Sequence, residues 1–518
     1  MNTDSRAVNS IRNTIFGVIN QVVKTLLTFV CRTILIKTLG AQYLGINGLY
    51  LNILSMLSLA ELGVGNVLIY TLYKPIAAQN TDKIRNLLIF FRRIYSLIAV
   101  SVLVLGLMLV PLLKYLVKSE LPYRSQVIYY LIFLLNSVMS YFVVYKSILI
   151  NADQKNFMVN IINTILTIIQ NGAQIIILLF FRNYTAFLLV LVFSTIMNNL
   201  TISIIADKKY PFLKQKARFQ KEIEEKRKLV DNIKATFFYK IGGVLMTSTD
   251  NILISIMLGT VVVGYYSNYS MIVVMVGTFI SILTDAFLAS LGNLNAQDDK
   301  EKSYQMYKTM TLFFHWIGAF CTIAFLLVFR DFVAIWVGEE YILDMPTTAA
   351  IVITFYLSCI SNQNWMYRET MGIFMKVKYL MFIAAMVNLV FSVILGLIAG
   401  LPGILIATAI GRVTTIFWRE PLILFRDIFG KKVREYWIKQ LKYFLMTVAS
   451  FGICMLITYR IAGGLIVVFL KIAIAFVITG IIFVVFTRTS PELKYLKSLA
   501  EKILKMIANK RRTGDGGQ

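Results

Sequence analysis

Two cations, Lys24 and Arg32, stand inside an apolar stretch that runs from Asn13 to Leu39. At 100° per residue they share a stripe with Asn13, Gly17, Asn20, Gln21, Thr28 and Cys31, while Ile15, Val18, Ile19, Val22, Val23, Leu26, Phe29 and Val30 cover the rest of the helix. A cation left in lipid costs roughly 2.5–3.5 kcal/mol on the insertion scale, so the stripe is expected to face protein or a wet cavity. In such a cavity an anion gains far more from a nearby ammonium or guanidinium than it would in water. The stripe therefore reads as one wall of a transport pathway, with Lys24, Arg32, Asn20 and Gln21 contacting an anionic substrate.

Comparable stripes recur further along. The seventh apolar segment carries Thr236, Tyr239, Lys240, Gly243, Thr247, Asp250 and Asn251; the second groups Ser58, Glu61 and Gly65; the eighth carries Asp285. Lys240, and Arg412 of the twelfth segment, are expected to join the anion site. Glu61, Asp250 and Asp285 are expected to pair with the cations in the empty state or to bind a coupling ion. The competing role is ion pairing that merely holds helices together, such as Lys24 with Glu61 or Asp250. The tenth segment adds Ser358, Asn362, Trp365 and Glu369 at helical spacing, and the twelfth Thr408, Arg412, Thr415 and Arg419. Arg419 with Glu420 reads as an interfacial anchor. His315, the one histidine, reads as a packing residue more readily than as a proton carrier. Lys471 either snorkels or serves a groove, and the sequence leaves that choice open.

Other chemistries are not supported. No paired-carboxylate, triad, metal-ligand or phosphate-loop pattern is present, so neither catalysis, a metal nor a cofactor is expected. Cys31, Cys321, Cys359 and Cys454 lie in apolar segments without CxxC spacing and read as small buried hydrophobes. The GxGxN of Gly63 to Asn66 falls inside an apolar helix, where a dinucleotide loop has no place.

The elements that must position these groups are membrane helices. The 518 residues are 58% hydrophobic and 15% charged, the balance of a polytopic membrane protein. A net charge of +26 would suggest nucleic acid in a soluble chain, but here the cations must first be placed relative to a bilayer, and no nucleic-acid partner is expected. Apolar runs of about 20 residues suffice to span, and fourteen can be read: 13–39, 44–70, 87–113, 125–150, 157–181, 185–206 and 233–258, then 263–291, 307–329, 347–370, 379–399, 403–425, 437–459 and 465–486. The first reads as retained, not as a cleaved signal peptide.

Loop charges orient the spans. One set of loops holds Lys74, Lys83, Arg85, the run 208–228, Lys300, Lys302, Lys376, Lys378, Lys431, Lys432, Arg434 and the tail from Arg488 to Arg512. The other offers mainly Lys37, Lys114, Lys118, Arg124, Arg182, Arg330 and Arg460, so both termini are expected to be cytoplasmic. The external loops are short, and the longest, from Arg330 to Pro346, is acidic. None is large enough for a catalytic domain, which argues against membrane glycosyltransferases and polymerases.

An internal repeat decides the architecture. RTILIKTLGAQYLGINGLY (32–50) aligns without gaps on NILISIMLGTVVVGYYSNY (251–269), placing Gly40, Gly45 and Tyr50 on Gly259, Gly264 and Tyr269. An even number of spans separates the copies, so the repeats are parallel. The expected fold is an all-α polytopic membrane protein of about fourteen helices, with two parallel six-helix repeats around a central cleft and a C-terminal helix pair. The expected boundaries are 1–206 for the first bundle, 207–232 for a basic cytoplasmic linker, 233–428 for the second bundle, 429–488 for the final pair, and 489–518 for a tail. That tail is amphipathic: Leu493, Leu496, Leu499, Ile503, Leu504 and Ile507 oppose Lys494, Lys497, Lys502 and Lys505, a pattern suited to an anionic leaflet.

With the stretch from Arg32 to Lys74 and the basic linker after the sixth span, this organisation resembles the Wzx-type polysaccharide flippases of the multidrug/oligosaccharidyl-lipid/polysaccharide exporter superfamily. The likeness is topological over the whole chain and specific in sequence over the first two spans. It implies a carrier that moves an oligosaccharide repeat unit linked to undecaprenyl pyrophosphate across the bacterial cytoplasmic membrane by alternating access, for capsule, exopolysaccharide or a similar surface polymer. The implied partners are the lipid-linked oligosaccharide, membrane lipids, a polysaccharide polymerase and glycosyltransferases. The alternative is an ion-coupled exporter of drugs or small amphiphiles from the same superfamily. That branch commonly uses a carboxylate in the first span, where this chain has Lys24 and Arg32.

Overall fold

The computed structural model describes residues 3–61, 64–214, 241–246, 248–295, 299–461, 463–498 and 501, and these contain helix and turn without a strand. Helix α1 runs over Thr3–Leu39, α2 over Ala41–Leu57, α3 over Val64–Ala77, α4 over Thr81–Leu109, α5 over Tyr123–Ser140, α6 over Val144–Ala152, α7 over Asn156–Phe180 and α8 over Tyr184–Lys209. Then come α9 at Ile241–Leu258, α10 at Thr260–Asn295, α11 at Lys300–Trp336, α12 at Met345–Cys359, α13 at Asn362–Thr370, α14 at Phe374–Ala399, α15 at Leu401–Thr414, α16 at Ile416–Leu424, α17 at Arg434–Thr458 and α18 at Leu465–Thr487.

The described residues of the expected apolar segments are mainly helical, with breaks inside 44–70, 125–150, 347–370 and 403–425, and the protein is a multi-pass membrane protein. By length and composition, eleven of the described helices can cross a bilayer, or up to twelve if the pair α5 and α6, bent by 42°, forms one span. The sequence reading differs at the second segment. Residues 44–70 are not one helix: α2 tightens into a 3-10 turn at Ser58–Glu61, and helix resumes at Val64. Gly65 stands in the first turn of α3, and glycine disfavours helix interior by about 1 kcal/mol per residue. Of the GxGxN motif, Gly63 lies outside the described residues, and Val64, Gly65 and Asn66 lie in α3.

The chain divides into two compact units, Met1–Ser267 with Met381–Ala385, and Asn268–Leu380 with Met386–Gln518. In the first, α1 lies along α7, α7 against α8, and α8 against α5. The repeat is visible here as a reciprocal contact. Gly40 and Gly259 end their helices with φ of +86° and +97°, a backbone region that glycine enters without steric cost. In the helices that follow, a Cβ on Gly45 would stand 1.7 Å from the carbonyl oxygen of Thr260, and one on Gly264 would stand 2.2 Å from that of Ala41. Ala41 and Thr260 are themselves superposed by the alignment, so each copy offers the other the same surface, as in a two-fold interface. Tyr50 and Tyr269 also keep equivalent roles in their own units. Tyr50 is buried and donates to the carbonyl of Gln126 at 2.9 Å, and Tyr269 is buried and accepts from the Leu343 N–H at 2.9 Å.

The second unit is built on α11, which packs against α18, α17 and α12. One apolar cluster joins Leu312 and Ala319 to Tyr443, Met446, Ile482 and Phe483, and another joins Ile323, Ala324, Leu327 and Val328 to Cys454, Val468 and Ala475. Helices α14 and α15 meet at Gly400, where φ is +64°, and Gly403 lets the Leu395 carbonyl approach: a Cβ there would be 2.1 Å away. The start of the tail is docked into this unit. Leu493 is buried in the first cluster, and the Glu492 carboxylate lies 2.5 Å from Lys439 Nζ. Leu499, Lys502, Ile503, Leu504, Lys505 and Ile507, like the linker core, lie outside the described residues.

Candidate functional site

One edge of the α1 stripe is committed to α7. The Asn13 side chain donates to the Gln154 carbonyl at 3.0 Å and accepts from the Phe157 N–H at 2.7 Å. Thr164 donates to Asn20 Oδ1 at 3.1 Å, and Cys31 approaches Gln174 Oε1 at 3.9 Å. Gln21 turns to Thr25 on its own helix at 3.4 Å. These bonds explain the amides without a ligand. They do not explain the cations.

Lys24 is exposed on α1 and forms no ion pair among the described residues. Arg32, half-buried near the end of α1, is odder still, because its Nε and Nη2 atoms are both buried and neither has a hydrogen-bond partner among the described residues. Leaving a buried charged donor unmatched costs more than the 1–3 kcal/mol of a neutral one. The competing role, Lys24 paired with Glu61 or Asp250 merely to hold helices together, is absent from the described contacts. Asn251, the counterpart of Arg32 under the repeat, is likewise buried, with its Oδ1 unpartnered. Beside it Asp250 is buried, close enough to Tyr266 to affect that hydroxyl electrostatically.

Glu61 closes the interruption between α2 and α3, and a second interruption faces it. The bend between α5 and α6 carries Tyr141, whose hydroxyl donates to Ser58 Oγ at 2.8 Å and lies beside the Glu61 carboxylate. Tyr95 stacks on Tyr141 with ring centroids 6.5 Å apart and is also a neighbour of Glu61. Two broken spans thus meet at one carboxylate with two phenols around it, an arrangement that transporters use to present ion ligands at membrane depth. Sequence reasoning found Glu61 and Ser58 but not Tyr141, whose partners lie some eighty residues away and leave no periodic signal. It also missed Lys146, which is buried on α6 with its Nζ 2.7 Å from Asp207 and 2.6 Å from Ser203.

In the second unit, Asp285 is exposed on α10 and Arg412 is half-buried on α15. Arg412 acts on the Glu420 carboxylate, which is buried and paired with the equally buried Arg368 of α13. The expected Arg419–Glu420 anchor therefore does not form. Adjacent helical residues point about 100° apart, so Glu420 turns into the core while the Arg419 guanidinium sits 5.6 Å over the Trp418 ring. His315 is a satisfied packing residue, with Nδ1 2.7 Å from the Thr311 carbonyl and Nε2 2.7 Å from the Gln440 amide. Lys471 serves an ion pair, 2.6 Å from Asp331. Lys240 lies outside the described residues. No group of three potential metal ligands occurs among the described residues.

Residues 10–288 match the family described as polysaccharide biosynthesis protein. No curated protein matches in sequence. Among solved structures, the chain is similar to the lipid II flippase MurJ in an inward closed conformation, at 15% identity and a TM-score of 0.68 over 92% of this chain and 99% of that one. It is also similar to an inward-facing multidrug resistance MATE family transporter of the MOP superfamily, at 14% identity and a TM-score of 0.60 over 77% and 95%. A third likeness is to a MOP superfamily transporter from Pyrococcus furiosus, for which a binding pocket of reversed polarity is described, at 13% identity and a TM-score of 0.53 over 78% and 92%. The fold expected from the resemblance is thus the fold observed.

Proposed function

The chain belongs to the polysaccharide biosynthesis protein family, and from that membership we propose that it flips an oligosaccharide repeat unit linked to undecaprenyl pyrophosphate across the bacterial cytoplasmic membrane by alternating access. The observation that supports this reading is Arg32, whose buried Nε and Nη2 have no hydrogen-bond partner among the described residues, with Lys24 two helical turns before it. An anion about 4 Å from such a cation gains about 4 kcal/mol at an effective dielectric of 20. That exceeds the roughly 2.5–3.5 kcal/mol of keeping the cation in the membrane, so a pyrophosphate supplies what the fold leaves out.

In this reading Lys24, Arg32, Lys240 and Arg412 hold the pyrophosphate and any acidic sugars, Asn20 and Gln21 contact the glycan, and the polyprenyl tail stays in lipid. Glu61, with Tyr141 and Tyr95 beside it, is the best-built candidate for a coupling ion; Asp250 and Asp285 have the same role or keep cations paired in the empty state. The expected domain boundaries, cytoplasmic termini, and a polymerase and glycosyltransferases as functional partners belong to the same proposal. The second reading, an ion-coupled exporter of small amphiphiles, draws on the MATE likenesses; the cations of α1 count against it, because they repel cationic drugs.

The test is charge reversal, Lys24→Glu and Arg32→Glu, in a surface-glycan complementation assay. Loss of surface polymer at normal protein level is expected. Full complementation removes both residues from the pathway, and drug resistance on expression that depends on Glu61 favours the exporter.

A further inference from the structure

The second unit holds a cleft of about 500 Å³ that the proposed transport does not use. Its walls come from α11, α12, α16 and α17, and it extends along α17 from Trp437 to Phe451, a length of about 21 Å at 1.5 Å per residue. The lining is almost wholly apolar. Ile353, Leu441, Phe444 and Val448 line it and are 44%, 60%, 50% and 49% exposed, so the cleft opens sideways onto the surface that a bilayer covers.

Its charged end distinguishes it from a casual furrow. Phe417 and Trp437 close the end nearest the start of α17, with ring centroids 5.5 Å apart. Arg419 lies two residues beyond Phe417, and Arg434 lies one turn before Trp437 on the same face of α17. Both arginines are exposed, and neither forms an ion pair among the described residues. Their neighbours behave differently. Lys376 and Arg426 pair with Asp427, Lys431 with Glu301, and Lys439 with Glu435 and Glu492. Among the described residues Arg419 and Arg434, near this end of the cleft, stand without an acid, as do Lys432 and Lys442, the latter donating to the Phe486 carbonyl at 2.9 Å. Inside it, Gln440 is 6% exposed and spends its Oε1 on His315, while its Nε2 has no partner among the described residues. It stands six residues, about 9 Å, below Arg434.

We propose that this cleft is a binding site for an anionic glycerophospholipid of the surrounding bilayer, with one acyl chain in the slot and the phosphate between Arg419 and Arg434. Guanidinium groups match phosphate oxygens in geometry and charge, and a chain 21 Å deep reaches past the middle of a hydrocarbon core about 30 Å thick. The unpartnered amide atom of Gln440 selects among occupants. A glycerolipid brings ester linkages and their interfacial water to that depth, whereas a plain isoprenoid chain offers nothing polar there. The site is separate from the proposed pathway on α1 and does not rest on it.

The test uses the full-length protein in nanodiscs, with Trp316, Trp336, Trp365 and Trp418 changed to Phe so that Trp437 alone reports. Phosphatidylglycerol brominated on its acyl chains is expected to quench Trp437 at about tenfold lower mole fraction than brominated phosphatidylcholine. The pair Arg419→Gln and Arg434→Gln is expected to bring the two lipids to the same midpoint, and the single Arg434→Gln, an exposed change that leaves the fold alone, to remove at least half of the preference on a logarithmic scale. Equal midpoints in the parent protein overturn the proposal. So does displacement of phosphatidylglycerol by equimolar undecaprenyl phosphate, which would make the slot a carrier-lipid site.

Discussion

At the scale of single residues, the half-buried Arg32 and the buried Arg368 have opposite prospects. Arg368 has Glu420, and removing one member of a buried pair leaves a naked charge behind. Arg368→Ala is expected to destabilise the protein by about 3–5 kcal/mol in detergent unfolding, with Arg368→Met combined with Glu420→Leu recovering most of the loss. Arg32 has no such partner among the described residues, so the same logic reverses. Arg32→Met is expected to raise the apparent melting temperature slightly while reducing surface polymer to near background; a fall in both would mean that Arg32 is structural. The α1 stripe was legible from residue types and 100° spacing alone. Its division into Asn13 and Asn20 bonded at α7, Gln21 bonded within α1, and cations without an ion pair among the described residues was not, because that depends on which helix packs where, and periodicity reports only that a polar face exists.

At the scale of elements, the 3-10 turn at Ser58–Glu61 and the bend at 141–143 matter more than the regular helices around them. Both lie in stretches whose hydropathy is that of an ordinary span, so an apolar count reads straight through them. Only the Gly63 and Gly65 pair signals the first, and no residue type signals the second. If Glu61 binds a coupling ion, Glu61→Gln is expected to abolish the dependence of transport on the imposed ion gradient, and Tyr141→Phe to weaken it several-fold, with ion-jump transport in vesicles as the measurement. The repeat glycines make a separate prediction. A methyl group at Gly45 or Gly264 meets backbone that has no room to retreat, so Gly45→Ala and Gly264→Ala are each expected to cost about 1–3 kcal/mol by overpacking. Because the two positions share one contact, the double variant should lose less than the sum, which a thermal-shift cycle can read. Here the sequence was informative in a way single-helix reasoning is not: the alignment of 32–50 with 251–269 named both glycines before any contact was known.

At the scale of the whole molecule, the chain joins a fold similar to that of the lipid II flippase MurJ to cations, Lys24 and Arg32, carried on α1. Fold class and family likeness followed from composition, span count and the repeat. The number of spans was less secure, since broken helices divide what hydropathy joins. The division into units at Ser267 and Asn268 depends on tertiary contacts that no composition shift marks. Alternating access at this scale predicts that Lys24→Cys, in a variant with Cys31, Cys321, Cys359 and Cys454 replaced by Ala, reacts with impermeant thiol reagents from both faces of the membrane. Reaction from neither face would mean that Lys24 sees no water.

The most direct measurement is translocation itself. Purified protein in proteoliposomes carrying an undecaprenyl-pyrophosphate-linked oligosaccharide on the inner leaflet should expose the glycan to an external glycosidase at least tenfold faster than protein-free vesicles, and Arg32→Gln should bring that rate back to the vesicle baseline. Wild-type protein no faster than empty vesicles, or an Arg32→Gln variant as fast as wild type, would contradict the account.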